Sequence, residues 1–463
     1  VYFKQFVRTD IGCASYLIAS MGGAAAVVDP RLDMVEEILA EAAREGLTIR
    51  TVVETHTHAD HVSGHHAIAR RTGATVAIHA DAGVAYPHQP LRHGDEIVLD
   101  EVRLRVIHTP GHRPEHIALA VIDRSRGDEP WLVLTGDSLF VGDAARPDLA
   151  IPGVEGARGL YHSLHERLLT LPDGTLVYPA HVSGSLCGRV TSRMTESTIG
   201  YERRFNPALQ LDEEEFVRFT TEGLPERPPN LFRIVALNKA ASPLGWQPPQ
   251  PLTPAEVAER AAAGAVVLDV RSPAAFSAGH LAGAIGVDLH GGQFQNRVGL
   301  VISAEDEVVL VATDDAEARR AAEALAVIGF DRVTGYLAGG VAAWRAAGFD
   351  LVALEGMSAR ELAERQRLDP NLLIIDVREP AEWEEGHIAG ARSVPFYRVL
   401  PELDRLPADR PLAVICAGGT RSVIAASLLR ARGRTNVLNV RDGMDGWRAA
   451  GLPVVRATPV GAR

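Results

Sequence analysis

The segment Glu54-Thr55-His56-Thr57-His58-Ala59-Asp60-His61 sets three imidazoles and a carboxylate within six residues, directly after the apolar run Thr51-Val52-Val53. Neutral imidazole and carboxylate are the nitrogen and oxygen donors that hold zinc or iron. Ligand-type side chains end three further apolar runs: His112 in Thr109-Pro110-Gly111-His112, Asp137 in Thr135-Gly136-Asp137, and His181 in Pro179-Ala180-His181. Sulfur chemistry has its own candidate far downstream, where Leu412-Ala413-Val414-Ile415 runs into Cys416-Ala417-Gly418-Gly419-Thr420-Arg421 and a helix is expected from Ser422. A cysteine at such a strand-to-helix junction faces backbone N–H groups, which favour a thiolate and then a persulfide anion. The paired glycines let the backbone curl close to the sulfur, and Arg421 adds positive charge.

The elements that must position these groups follow from the pattern of apolar residues. Residues 14–29 read as two short strands around Gly22-Gly23. A helix follows, with Met34, Val35, Ile38, Leu39 and Ala42 spaced three and four apart. Ser63 is expected to cap a helix running to Arg71, and Thr75–Ile78 returns to strand. Strands are then expected over 97–108, 116–123, 131–134 and 175–178, with a helix around 156–170. Each ligand-type side chain thus sits where a buried strand gives way to a loop, and strand-end loops on one edge of a sheet sandwich can converge on one point. Cys13, ahead of the first of these strands, reads as a small core residue. His65, His66, His79, His88, His93, His108 and His116 read as surface or satisfied structural histidines.

The chain has 463 residues, a prior for about three domains. Lys and Arg number 47 against 59 Asp and Glu, a net charge of -12 that argues against nucleic acid or an anionic membrane as partner. No apolar run reaches the ~18 residues of a membrane span. Three widely spaced cysteines, Cys13, Cys187 and Cys416, fit a reducing compartment better than a disulfide scaffold. With no signal-peptide layout at Val1-Tyr2-Phe3-Lys4-Gln5, the expected location is the cytoplasm.

The order HxHxDH, TPGH, GD and PAH resembles the metallo-β-lactamase fold over residues 1 to about 237. The resemblance implies an αββα sandwich with a metal site at its strand ends. Two chemistries of that superfamily use the set His56, His58, Asp60, His61, His112, Asp137 and His181. A dinuclear zinc hydrolase of the glyoxalase II kind would use all seven around a bridging hydroxide. A persulfide dioxygenase would bind one Fe(II) per chain through His56, His112 and Asp137, a facial triad that leaves positions open for substrate and oxygen. His58, Asp60, His61 and His181 would then orient ligands and waters. The stretch from Ser138 to Asp148 is similar to the dioxygenase segment whose arginine holds the carboxylate of the thiol carrier, which makes Arg146 the substrate contact, or else the ion-pair partner of Asp143 or Asp148. Gly184-Ser185-Leu186-Cys187-Gly188-Arg189 resembles persulfide dioxygenase–rhodanese fusions rather than the glutathione-using enzymes. It makes Cys187 a candidate persulfide carrier.

Prolines crowd the stretch from Pro225 to Pro254, as expected of a linker, here residues 238–251. Beyond it the sequence repeats. Leu268-Asp269-Val270-Arg271 recurs as Ile375-Asp376-Val377-Arg378, and Gly279-His280-Leu281-Ala282-Gly283-Ala284 as Gly386-His387-Ile388-Ala389-Gly390-Ala391, both 107 residues apart (376 − 269 and 386 − 279). Trp344-Arg345-Ala346-Ala347-Gly348 recurs as Trp447-Arg448-Ala449-Ala450-Gly451. Both copies resemble the rhodanese family, small α/β units with parallel sheets. The boundaries read as 252–350 and 356–458. The second copy keeps the loop from Cys416 to Arg421, which implies Cys416 and Arg421 as catalytic and Gly418, Gly419 and Thr420 as substrate-binding. At the same junction the first copy reads Val311-Ala312-Thr313-Asp314-Asp315-Ala316, with no nucleophile, and is expected to be silent.

These readings combine into an α/β multidomain protein that joins an iron persulfide dioxygenase to a sulfurtransferase. The partners implied are a low-molecular-weight persulfide, O2, sulfite and thiosulfate, and a homo-oligomer is expected. The competing expectation is a dinuclear zinc thioesterase whose rhodanese half is a binding module.

Overall fold

The computed structural model describes residues 1–8, 11–182, 194–224 and 226–456. Two compact units make up the chain, one built on Val1–Gly245 and the other on Trp246–Leu325 and Phe330–Arg463.

In the first unit two six-stranded sheets stack face to face. One runs in the order Tyr2–Arg8, Cys13–Ala19, Ala24–Val28, Thr48–Val53, Thr75–His79 and Gln89–Leu91. Its last four strands are parallel neighbours. Parallel neighbours need a crossover, and the helices Val35–Arg44 and His65–Thr72 supply two of them. The other sheet runs Ser197–Thr198, Leu176–Pro179, Leu132–Gly136, Ile117–Asp123, Val102–His108 and Glu96–Leu99. Successive side chains of one strand serve different cores. Tyr16 and Ile18 point between the sheets, with Val28, Leu104, Leu119 and Leu134. Leu17 points outward, against Met34, Ile38 and Ile68. On the far face Val133 and Val177 pack under Leu160, Leu164 and Phe216. The result is the αββα sandwich expected from the motif order.

One local expectation shifts. The helix after the histidine cluster spans His65–Thr72, with Gly64 at its N-cap position. Ser63 instead accepts the His65 N–H at 3.1 Å and hydrogen-bonds to Glu54 at 2.5 Å. The hydroxyl oxygen thus still takes a backbone N–H of the first helical residue while its proton goes to the buried Glu54 carboxylate.

The second unit holds two five-stranded, all-parallel sheets, ordered Gln250–Leu252, Val333–Leu337, Val308–Val311, Val266–Asp269, Ile285–Gly286 and Gly356–Met357, Val437–Val440, Leu412–Ile415, Leu373–Asp376, Arg392–Ser393. The repeated motifs have one structural job. Asp376 grips Arg378 through two oxygens, and Arg378 donates onward to Gly386 O at 2.9 Å. Asp269, Arg271 and Gly279 O make the same chain. His387 and His280 stack on Trp383 and Phe276 and bond to their carbonyls. The motif therefore clamps the strand that ends in the aspartate to the turn that follows the short helix, and its recurrence reflects this buried ion pair.

Candidate metal centre and sulfur-transfer loop

Sheet register brings the candidate ligands together. Leu132–Gly136 pairs with Leu176–Pro179 so that Gly136 faces Pro179, which sets Asp137 and His181 one and two residues beyond the paired ends. Val28 faces Val53, and the two strands release Asp29 and Glu54 side by side. Gly136 has φ +52, and a Cβ there would lie 2.6 Å from His116 Nε2 and 2.8 Å from Thr55 Oγ1. Only glycine permits this close approach.

His56, His112 and Asp137 are buried and each offers a ligand atom within 4.8 Å of the others. Asp137 Oδ2 lies 3.9 Å from His56 Nε2 and 3.5 Å from His112 Nε2. Among the described residues neither His56 Nε2 nor Asp137 Oδ2 has a hydrogen-bond partner. Buried polar atoms left this way are destabilising unless something occupies the space between them. Two imidazoles and one carboxylate suit a divalent transition metal with open positions. The residues present therefore fit such an ion.

Their supports are specific. His112 Nδ1 donates to Arg146 O at 2.8 Å, turning Nε2 inward. His56 Nδ1 pairs with Thr55 Oγ1 at 2.9 Å, and Thr55 is tied by its N–H and hydroxyl to Asp29. His181 bridges two carboxylates, Nδ1 to Asp137 Oδ1 at 2.6 Å and Nε2 to Asp60 Oδ2 at 2.8 Å. Burial alone would raise the Asp137 carboxyl, but His181 and His112 hold it at about 2. Burial and the neighbouring His58 and His112 push the His56 pKa well below that of free imidazole, so His56 is a neutral donor.

The other three members of the HxHxDH cluster form a second group, in which His58, Asp60 and His61 each offer a ligand atom within 4.8 Å of the others. His58 Nε2 points at Asp29, 3.1 Å, and Glu54, 3.3 Å. Those carboxylates override burial and raise its pKa well above the ordinary imidazole value. Asp60 and His61 pair with each other at 3.1 Å, and Asp60 also lies against Cys13.

Four residues that sequence reasoning left outside the site belong to its surroundings. Cys13 is not simply a core residue: its isolated bridge with His181 carries Sγ to within 3.6 Å of Asp60 and 3.1 Å of Arg31. Burial opposes ionisation there, but Arg31 and His181 lower the thiol to about 6. His116 accepts the Asp137 N–H at Nε2, 2.8 Å, and its Nδ1 meets Thr109 Oγ1 at 2.8 Å. Asp29 and Glu54 hold His58. Asp29 and Glu54 flank parallel strands and Cys13 opens an all-buried one, so local pattern gave no signal beyond burial. His116, four residues past His112, had at least its spacing to recommend it.

Arg146 does not stand open for a substrate carboxylate as the resemblance suggested. Its buried guanidinium grips Asp148 through two bonds, at 2.7 and 2.9 Å, while its backbone carbonyl orients His112. Cys187 lies outside the described residues.

In the second unit Cys416 ends the strand Leu412–Ile415, and the helix Thr420–Ala431 begins four residues on. Its Sγ accepts the Gly419 N–H at 3.1 Å and donates to Ser422 Oγ at 3.5 Å. Gly419 has φ +94, and a Cβ would meet Arg441 O at 2.1 Å, which explains the glycine. Arg421 makes a two-pronged bond with Glu382, 2.5 and 2.8 Å, so much of its charge is already answered. Register equates Val311 with Ile415, hence Ala312 with Cys416 and Glu317 with Arg421. In the first copy Glu317 folds back to accept the Thr313 N–H at 2.6 Å. In the first copy a carboxylate thus occupies the backbone N–H of Thr313 in the equivalent loop.

Known proteins agree with this division. The metallo-beta-lactamase superfamily profile matches residues 8–181, and the rhodanese-like domain profile matches 253–347 and 358–450. The persulfide dioxygenase ETHE1 of Bos taurus is 31% identical over 220 residues, 47% of this chain and 80% of the relative. A hydroxyacylglutathione hydrolase of Polaromonas is 32% identical over 240 residues, covering 46% and 87%. Among solved structures, a metallo-beta-lactamase from Staphylococcus aureus aligns with a TM-score of 0.64 and 31% identity, over 73% of this chain and 98% of that one. The chain belongs to the metallo-beta-lactamase superfamily, has persulfide dioxygenases among its homologues, and carries that domain fused to tandem rhodanese-like domains.

Proposed function

We propose that this chain is a non-haem iron persulfide dioxygenase and sulfurtransferase, acting in cytoplasmic persulfide detoxification. The observation that carries the reading is the set His56, His112 and Asp137, converging while His58 is turned to Asp29 and Glu54. The persulfide dioxygenase homologues favour one iron there over a dinuclear zinc site, whose second ligand group would be His58, Asp60 and His61. Iron held by the three residues would bring a persulfide and dioxygen to one centre and let the sulfane sulfur be oxidised, RSSH + O2 + H2O giving RSH + SO3²⁻ + 2H⁺. The residues around it orient and exclude: Arg146 O and Thr55 fix the two imidazoles, and His181 and His116 fix the carboxylate.

At the second site the Cys416 thiolate attacks the outer sulfur of a persulfide and RS⁻ leaves, giving Cys416–S–SH. Sulfite then takes that sulfur, Cys416–S⁻ returns with loss of a proton, and thiosulfate forms. The Gly419 N–H stands ready to stabilise either sulfur anion. Fusion keeps sulfite from the first reaction at high local concentration for the second.

The test is metal analysis of protein purified without air, with oxygen uptake on glutathione persulfide and coenzyme A persulfide. One iron per chain and oxygen-dependent sulfite are expected. Two zinc ions with no oxygen uptake would replace this reading with the hydrolase. In the full system Cys416→Ser should shift product from thiosulfate to sulfite.

A further inference from the structure

The helix Leu231–Lys239 follows the last of the candidate ligands in the chain, yet it covers the loop that carries the first, within the same unit. From Glu54 to Val62 that loop is neither helix nor strand and is almost wholly buried. Its backbone groups therefore need partners from elsewhere in the fold. One side chain supplies three of them. Asn238, 4% exposed, accepts the Ser63 N–H through Oδ1 at 2.8 Å. It donates from Nδ2 to His61 O at 2.8 Å and to His58 O at 3.0 Å. An amide offers two N–H donors and one oxygen, and all three serve this one loop. The partners stand 175, 177 and 180 residues away in the chain, so Asn238 is not capping its own helix. Apolar packing seats the same helix: Leu231 clusters with Ala59 of the loop and with Leu149, and Val235 packs against them.

The two carbonyls that Asn238 holds bracket Asp60. Asp60 Oδ2 meets His181 Nε2 at 2.8 Å, and His181 Nδ1 meets Asp137 Oδ1 at 2.6 Å. A shift of the loop is thus passed through two short hydrogen bonds to a candidate metal ligand. His56, another of the candidate ligands, stands two residues ahead of His58 on the same loop.

We propose that Asn238 is a positioning residue of the metal centre. It fixes the backbone on either side of Asp60 and, through Asp60 and His181, the direction of Asp137. The helix Leu231–Lys239 then belongs to the scaffold of the metal centre. This inference rests on His56, His112 and Asp137 being metal ligands.

The test uses the full chain with Asn238→Asp, Asn238→Ser and Phe216→Leu. Asn238→Asp keeps an oxygen towards the Ser63 N–H but sets an acceptor, in place of a donor, against the His58 and His61 carbonyls. Phe216→Leu loosens the core around Leu160 and Leu164 instead and controls for lost stability alone. The readouts are cobalt(II) affinity by chelator competition and the visible spectrum of the cobalt-loaded protein. Asn238→Asp should bind cobalt about 10–100-fold more weakly, the range for removing an outer support of a ligand, and its spectrum should change. Asn238→Ser, with a single donor, should fall between Asn238→Asp and wild type. Phe216→Leu should lower the unfolding midpoint and leave affinity and spectrum unchanged. Wild-type affinity and spectrum in Asn238→Asp would overturn the proposal. Should neither Asn238 variant fold, hydrogen exchange on the metal-free wild type decides: the Ser63 amide should exchange slowly, and exchange at open-loop rates would overturn the proposal equally. If wild type binds neither cobalt nor iron, the metal-centre reading fails instead. Ser63 exchange in Asn238→Asp, expected faster than in wild type, then still decides whether Asn238 holds the loop.

Discussion

His116 is the residue whose replacement most directly tests how the candidate metal centre is held. Its ring is fully buried, accepts the Asp137 N–H at 2.8 Å and meets Thr109 Oγ1 at 2.8 Å. With Nε2 as acceptor, the proton sits on Nδ1 and donates to the threonine. Burial, then the His112 charge, hold its pKa at about 3, so the acceptor stays neutral through the working range. His116→Phe keeps a ring of similar shape but strands both partners in the interior. An unsatisfied buried group costs about 1–3 kcal/mol, so the metal-free protein should lose about 2–6 kcal/mol for the two. Loosening Asp137 should weaken metal binding by about 10–100-fold, the usual effect of removing an outer partner of a ligand. Chelator competition for iron or cobalt gives the affinity, and denaturant unfolding gives the stability. The ratio of wild-type to variant affinity should stay constant between about pH 5 and 8, because His116 does not titrate there. Wild-type metal affinity alongside a lowered unfolding midpoint would refute the reasoning, and would assign control of Asp137 to His181 alone.

Asp137→Ala should abolish iron retention and oxygen uptake while leaving thiosulfate:cyanide transfer intact, measured on the same preparation. Ala312→Cys should not create a second transferase site, since Glu317 already occupies the loop's donors; Cys416-independent transfer in the Ala312→Cys, Cys416→Ser double variant would refute this. For the metal-free protein, Arg31 and His181 hold the buried Cys13 thiol down to about 6, against an ordinary thiol value of 9.0. The thiolate's contribution is complete above pH ~9 and fades at about 1.4 kcal/mol per unit as pH falls towards ~6. The stability difference between wild type and Cys13→Ala should therefore shrink over that window, and a flat difference would contradict the Arg31–Cys13 pairing.

Much of this protein was legible before folding because burial and local turns leave periodic traces. The four strand-end motifs, the αββα sandwich, the repeat with its DVR and GHxAG clamps, and the contrast between Cys416 and Ala312 are all short-range patterns. Sheet order and register are not short-range, and they decided the rest. Cys13 and His181 are far apart in the chain and meet in one bridge, so an all-buried strand that reads as plain core brings a thiol against Asp60 and His181, beside the candidate metal centre. For Arg146 the sequence left a substrate contact and an ion pair with Asp143 or Asp148 both open, and the fold forms the pair with Asp148. Arg421 looked unanswered until Glu382, on another element, closed on it. Side-chain types and spacing determined which reactions the chain can support. The long-range pairing of strands and domains determined which of those side chains are engaged with partners and which remain open to a ligand.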